Sequence, residues 1–362
     1  MDTARNKFTD SLNIISSIAA KDILDVFKNR GTRTNLIILL GIVVFFHWML
    51  NLRPFDKTLD VVVYDQGSNL QLESAELSDG SEIRIINEES MEDMQNRLGF
   101  QDLGIVLTSD LQQTTASGDA LTLEGYIFWE KRASVAELES LYSLKFSEYL
   151  DRSVQINIAE NIIVPLPEQA TQASTAMFYT FFAIFYMAVA MIPIMMLEEF
   201  LDKTLDAMLV SPASHAQIVL GKGLAGCFYM VIAGVLSLYL NAAYVTNWLM
   251  ISVGFICAIA FSVSLGLALG SLIKSRQQVQ LATLPVVFLL LVPALFAREP
   301  NLAPGLKSVI SLLPTSAISR LISLGTTSSI PLDVLAMNLS ISIASTLLLF
   351  GFILWQLRRS DR

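Results

Sequence analysis

The sequence predicts an α-helical membrane protein: six transmembrane helices, with an α/β extracytoplasmic domain inserted between the first and second. Three observations predict it. First, of 362 residues 53% are apolar and 16% are charged, against about a quarter charged in an ordinary soluble domain. Second, stretches free of Asp, Glu, Lys and Arg cover Thr34–Leu52, Gln169–Leu197, Gly223–Ile273, Gln277–Ala297 and Val334–Leu357. A helix needs about 20 apolar residues to cross the hydrocarbon. Each run therefore suffices for one crossing, and the 51 residues of Gly223–Ile273 must fold back, near Asn241–Trp248. Third, charge is divided along the chain. Residues 53–172 hold 8 Lys/Arg against 22 Asp/Glu, a net −14, whereas the remainder holds 16 against 11, a net +5.

In order along the chain, residues 1–33 form a cytoplasmic N-terminal segment in which Phe8, Leu12, Ile15, Ala19, Ile23 and Val26 share one helical face. Such a helix suits the membrane surface or a protein groove. Residues 34–52 follow as the first span. They come after a polar segment and lack a small-residue cleavage pattern, so they read as a retained span and not a removed signal peptide. Residues 53–172 form the extracytoplasmic domain. Leu59–Tyr64, Glu82–Ile86, Leu103–Thr108 and Leu121–Trp129 have the β-branched, alternating character of strands. Ser90–Leu98 reads as a short helix. Ser134 to about Asn161 reads as a longer one, opened by a capping box of Ser134 with Glu137 and closed by Pro165 and Pro167. Residues 173–357 supply five further spans, with a cytoplasmic loop at 198–216 and an outer re-entrant segment at 301–327, and residues 358–362 are a cytoplasmic tail. No internal repeat marks an inverted duplication of the secondary-transporter kind. Pro193, Pro285 and Pro293 fall inside spans and permit kinks. Ser262, Gly266 and Gly270, four residues apart, permit close helix approach, within one subunit or between two.

Orientation follows from basic residues. Arg5, Lys7, Lys21, Lys28, Arg30 and Arg33 precede the first run, Lys274 and Arg276 stand between the fourth and fifth crossings, and Arg358, Arg359 and Arg362 follow the last. These mark the cytoplasmic side, so both termini are expected inside and the acidic domain outside. The same balance excludes nucleic acid as a partner, for no basic face of adequate size exists. Cys227 and Cys257 both fall in spans and read as small apolar packing residues. The two histidines, His47 and His215, are expected on opposite sides of the membrane, which leaves neither a paired metal site nor a His-based triad. The Gly221-Lys222-Gly223 sequence lacks the upstream Gly and the hydroxyl residue of a P-loop. The chain is therefore expected to hydrolyse no ATP and to hold no metal or cofactor of its own. Gradient-driven carriers place ionisable groups within the membrane, and the five runs contain none.

An external energy source would then act by contact with a cytoplasmic loop. After the second span the chain reads Glu198-Glu199-Phe200-Leu201-Asp202-Lys203-Thr204-Leu205-Asp206-Ala207-Met208-Leu209-Val210-Ser211-Pro212. Leu201, Leu205 and Met208 share one face of a short amphipathic helix that proline stops. Glu198, Glu199, Thr204, Leu205, Asp206, Leu209, Ser211 and Pro212, followed by Leu220-Gly221-Lys222, resemble the corresponding loop of the membrane subunits of bacterial type-2 ATP-binding-cassette exporters. Lys203 stands where that family often carries Gly. The resemblance extends to Lys21-Asp22 and Asn29-Arg30 before the first span and to Leu312-Leu313-Pro314 in the outer segment. The large outer domain is similar to that of the sodium- and drug-extruding branch. The resemblance implies an exporter permease in the bacterial cytoplasmic membrane, working with a second copy or a related subunit and surrounded by lipid. It implies ATP and Mg bound by a separate ATPase subunit that docks on Glu198, Glu199, Leu201, Asp202, Thr204, Leu205, Asp206, Met208, Leu209, Ser211 and Pro212. Two other classes stay open: a membrane-anchored extracytoplasmic sensor, for which the 33-residue N-terminal segment offers little output domain, and a channel or gradient-driven carrier.

Overall fold

The computed structural model describes residues 2–28, 30–51, 58–68, 72–108, 120–159, 161–164, 171–201, 214–273, 275–296, 303–327 and 329–360. The chain divides into two compact units, one of residues 1–49, 176–325 and 330–362, the other of residues 50–175 with 326–329.

The second unit is a mixed sheet with a helix on each face. Its strands are β1 (Thr58–Asp65), β2 (Ala75–Glu76), β3 (Glu82–Glu88), β4 (Leu103–Leu107), β5 (Leu121–Phe128), β6 (Val154–Asn157) and β7 (Ile162–Ile163). The order is β2-β3-β1-β4-β5-β6, and β7 joins the same strand β5 farther along. β1 lies parallel between β3 and β4, with Val62 opposite Ile86 and Gly104, while β4 and β5 run antiparallel. Central strands buried on both faces read as apolar runs, and Val61-Val62-Val63 is one. Val61, Val63, Ile83, Ile105 and Leu123 meet Leu138, Tyr142 and Phe146 of α4 (Val135–Tyr149) on one face. Val62 and Val106 meet Met94 of α3 (Met91–Arg97) on the other. The four expected strands and the short helix are all present, and Ser90 caps α3 by accepting from the Asp93 N–H at 3.0 Å.

The long helix expected from Ser134 to Asn161 is shorter. It ends at Tyr149 because Asp151 adopts φ 49°, with the Arg152 N–H bonded to the Ser147 carbonyl and the Asp151 N–H to that of Glu148. This is the reversal that stops helices with a left-handed residue, a region Asp tolerates better than branched residues do. Beyond it Val154, Ile156 and Ile158 are buried while Gln155 and Asn157 are exposed, a period of two that makes a strand. The capping box is also absent. Ser134 is reached from a 3₁₀ turn, Trp129–Ser134, and its φ of −107° and ψ of 13° leave its hydroxyl without a cap bond. α4 instead covers the sheet edge. Ser147, Ser143 and Glu139, one helical turn apart, accept the outward N–H groups of Val154, Ile156 and Ile158 at 2.9, 2.9 and 2.7 Å, which blocks strand addition there.

The first unit is helical: α1 (Asp2–Lys28), α2 (Arg30–Asn51), α5 (Gln172–Leu201), α6 (His215–Leu240), α7 (Trp248–Leu272), α8 (Arg276–Phe296), α9 (Pro304–Ser311), α10 (Pro314–Ser323) and α11 (Leu332–Ser360). Among the described residues five helices are long and apolar enough to cross a membrane, at 172–197, 216–240, 248–272, 277–296 and 332–356. A sixth is counted if α9 and α10, bent by 83°, make one span. The first expected span lies on α2, whose apolar stretch Leu36–Met49 is shorter than these. α5 is the enclosed helix, with 78% of its apolar window buried against 17% for α11, as befits a helix apolar all round. α7 closes on it through glycine: a Cβ at Gly266 would stand 2.7 Å from the Ala188 carbonyl oxygen, and one at Gly270 2.6 Å from the Met196 sulfur. The small-residue stripe thus packs within the chain. Between α5 and α6 the Thr180 and Ser237 hydroxyls share a buried 2.7 Å hydrogen bond. Phe46 of α2 stacks on Tyr179 of α5 at 4.3 Å. α1 is packed on protein along Ile18, Ala19 and Asp22, all buried, while Leu12 and Leu24 are exposed.

Candidate functional site

Loop residues 202–213, which include Asp202, Thr204, Leu205, Asp206, Met208, Leu209, Ser211 and Pro212, lie outside the described residues. Glu198, Glu199 and Leu201 are placed as backbone in the last turn of α5. What the structure does give is the frame that holds both ends of this loop.

The loop's far end is fixed where α6 begins. The Ser214 hydroxyl accepts from the Gln217 N–H at 3.3 Å, and the Gln217 side-chain oxygen accepts from the Ser214 N–H at 2.8 Å. This reciprocal cap satisfies two donors that a helix start leaves open. The Gln217 amide then donates to the Ser11 hydroxyl of α1 at 2.8 Å. One turn on, Gly221 lets the helices touch: a Cβ there would lie 2.7 Å from Ile18 Cγ2 and 3.2 Å from the Ile15 carbonyl oxygen. Farther along α6, the Tyr229 hydroxyl donates to the Ile23 carbonyl at 2.8 Å.

At the centre of this seam stands Lys222. It is 2% exposed, and its ammonium donates to Asp22 Oδ2 at 3.2 Å and to the Met195 carbonyl at 2.7 Å. Asp22 is 8% exposed. One cation therefore joins α1, the end of α5 that enters the loop, and the start of α6 that leaves it. A charge taken out of water is tolerated only when paired and hydrogen-bonded, so these three helices are fixed to one another by an interaction that fails if any of them withdraws.

Sequence reasoning treated the two partners separately. Lys222 was one residue of the Leu220-Gly221-Lys222 match and Asp22 one of Lys21-Asp22; the signal that joins them is periodicity. Asp22 falls four residues after Ile18 and three after Ala19, on the buried face, and Lys222 immediately precedes the 51-residue charge-free run. The runs stand as counted, yet the interior of the helical unit does contain ionised groups at their border. At the opposite end of α6, a His47 ring nitrogen lies 3.3 Å from Asn241 Oδ1, so a polar contact joins the ends of α2 and α6 there.

No curated protein and no solved structure matches the chain. A family model described as ABC-2 family transporter protein does match, over residues 34–355, which takes in the sheet, the loop and all the long helices after α1. With several helices long and apolar enough to cross a bilayer and a family match over most of its length, the chain belongs to the ABC-2 transporter family and is a multi-pass membrane permease.

Proposed function

We propose that this permease is an exporter half, in which two copies, or this chain and a related one, line the substrate path and separate ATPase subunits bind ATP and Mg. In this reading the first span is 34–52, the acidic domain 53–172 lies outside the bacterial cytoplasmic membrane, and five spans follow within 173–357. Both termini and the loop at 198–216 face the cytoplasm, and 301–327 re-enters from outside. The basic flanks and the net −14 of the outer domain support that orientation. The loop docks in a cleft of the ATPase through Leu201, Leu205 and Met208, while Glu198, Glu199, Asp202 and Asp206 guide its approach. A helix with so few basic residues has little to hold it to anionic lipid, so a protein groove is the better destination.

The observation that carries the reading is the Lys222 junction. A push on the loop reaches α5 at one end and α6 at the other, and both are tied through Lys222 to Asp22 of α1, so docking is converted into a concerted shift of three helices. The test is Leu205→Asp. Burying a leucine is worth about 1.5–3 kcal/mol, so the ATPase should co-purify at least about ten-fold more weakly, and substrate-stimulated hydrolysis should fall with it. Leu144→Asp, on the exposed side of α4, should leave both unchanged. Normal docking and hydrolysis in Leu205→Asp would sink the coupling role.

A second reading, a gradient-driven carrier, draws on the same buried pair, since ionisable groups inside a helical bundle are where such carriers work. The pair's saturation argues against it, because Lys222 is engaged by both a carboxylate and a carbonyl. Transport by the permease alone in liposomes, without nucleotide, would revive it.

A further inference from the structure

The first turn of α5 is shut off from water. Thr171, Ala173 and Ser174 are all buried, so their backbone N–H groups need partners within the protein. Thr171 and Ser174 satisfy each other: the Ser174 N–H donates to Thr171 Oγ1 at 3.1 Å, and the Thr171 N–H donates to Ser174 Oγ at 2.9 Å. The Thr175 N–H donates to the Thr171 carbonyl at 3.0 Å. The Ala173 N–H is left over, and what faces it is the Glu130 carboxyl of the 3₁₀ turn Trp129–Ser134. Residues 171–175 and that turn belong to the same unit, the one that holds the sheet.

The turn that supplies this carboxyl is weakly held. Glu130 Oε2 and, one residue earlier, Trp129 Nε1 are closed off from water without a hydrogen-bond partner. No residue of the turn is fully buried, and 3₁₀ geometry gives poorer hydrogen bonds than an α-helix does. A neutral carboxyl can stay in such a place. An ionised one leaves Oε2 charged, dry and without a donor, which is costly, and outward movement of the turn gives both atoms water. Burial accordingly raises the Glu130 carboxyl from 4.5 to about 7. Lys131 acts in the opposite sense, but its ammonium is engaged by Asp102 at 2.9 Å and by the Gln101 carbonyl at 2.6 Å. Arg132 lies over the Trp129 ring at 3.8 Å. Of the elements packed around the turn, β5 carries Glu124 and Tyr126 and α4 carries Glu137 and Glu139, while β7 and the first turn of α5 carry no titratable group.

We propose that Glu130 is a proton-operated latch: neutral, it caps the Ala173 N–H and holds the 3₁₀ turn on the start of α5; ionised, it turns out to water and releases both. Closing takes up a proton, because the carboxyl binds it more tightly when covered. The open share therefore rises with pH between about 4.5 and about 7 and levels off above. The inference adds a regulatory residue to the proposed permease and rests on that reading only for the side of the membrane that supplies the proton.

Hydrogen exchange of the full chain in nanodiscs, with both faces in one buffer, reads the latch directly. The amides of residues 172–176 are followed by mass spectrometry and corrected for the intrinsic dependence of exchange on pH. Their protection should fall at least about ten-fold from pH 5 to pH 8, and that of β1, in the core, should not follow it. Glu130→Gln keeps an acceptor for the Ala173 N–H and cannot ionise, so its protection should stay at the pH 5 level throughout. Glu130→Ala, which removes the cap, should be poorly protected at both pH values, with thermal unfolding confirming that the variants fold. His47→Asn, which removes a side chain of the type that ordinarily titrates in this window, should exchange as the parent does. Protection that falls equally in Glu130→Gln, falls in step with β1, persists in Glu130→Ala, or loses its pH dependence in His47→Asn overturns the latch. Leu205→Asp should exchange here as the parent does, so loss of coupling and loss of the latch are told apart.

Discussion

In the sheet unit Val61, Val63, Ile83 and Phe146 are buried to 1% exposure or less, while Lys145 meets an exposed Asp79 at 2.6 Å. In the helical unit Leu281, Leu289 and Leu348 are about three-quarters exposed, while Thr180, Ser262, Thr315 and Asn338 are buried to 1% or less. The same side chains have changed places because the solvent has changed. Water around a sheet rewards apolar burial. Lipid around a bundle is as apolar as leucine, so association there rests on close packing, small residues and polar bonds between helices. Gly266 against Ala188 and Thr180 against Ser237 supply these. The lesson extends to charge: the carboxylate of the Lys145–Asp79 pair stays open to water, whereas Lys222 with Asp22 is buried and organises three helices.

The sharpest way to break that contrast is to remove one partner at each place. Lys222→Met or Asp22→Asn alone strands a buried polar or charged group and should lower stability by about 3–5 kcal/mol. The double change Asp22→Leu with Lys222→Met, which removes both, should recover most of it. Lys145→Met should give no resolvable shift, because its partner Asp79 is exposed. Unfolding in micelles followed by tryptophan fluorescence reads all four, and equal losses at the two sites would erase the distinction between the units.

A smaller effect tests a place where the sheet unit departs from its own rule. Burial pushes the Glu130 carboxyl up from an ordinary 4.5 to about 7, against smaller opposing effects of Lys131 and the Ala173 N–H, and Glu130 Oε2 has no hydrogen-bond partner. A raised carboxyl binds its proton more tightly folded than unfolded. Its destabilisation is therefore absent below about pH 4.5, grows as pH rises through that window, and is complete above about pH 7. Glu130→Gln should be neutral at pH 4 and stabilising by about 2 kcal/mol at pH 8. A difference between variant and parent that does not change with pH would show Glu130 to be solvated.

Much of both units was legible because the signals used were properties of solvent. Charge-free runs report lipid directly, so the long helices at 172–197, 216–240, 248–272, 277–296 and 332–356 fall on them. Alternation reports a half-buried sheet, so β1, β3, β4 and β5 were found. What escaped was decided by local backbone geometry or by distant contacts. The end of α4 hangs on Asp151 entering the left-handed region, a choice that sequence allows but does not announce. The Ser134-Glu137 pattern failed because the preceding 3₁₀ turn leaves no extended N-cap, whereas the same kind of pattern succeeded at Ser90 and Ser214, which are themselves extended. The Lys222 junction joins residues 200 positions apart, and no local pattern reports a contact of that kind. The loop was read as an amphipathic helix carrying an ordered motif, and its residues 202–213 lie outside the described residues.

The smallest expected effect compares two exposed leucines, Leu144 on α4 at 64% and Leu348 on α11 at 75%. Leu144→Ala should change folding stability by less than about 0.5 kcal/mol, because that side chain meets water folded or unfolded. Leu348→Ala should be equally silent in folding within a bilayer, for a different reason: the side chain meets lipid both before and after the helices associate. The two separate in membrane insertion. There Leu348→Ala should weaken partition of α11 by up to about 1 kcal/mol, measured as the inserted fraction of the segment in microsomes, and Leu144→Ala has no span to affect. A third result would sharpen the picture further. Should Leu348→Ala cost about 2–5 kcal/mol of folding stability in the full chain, the magnitude of a leucine lost from a packed core, then protein and not lipid covers that face. α11, the least buried of the long helices, would then be the surface on which the second permease sits.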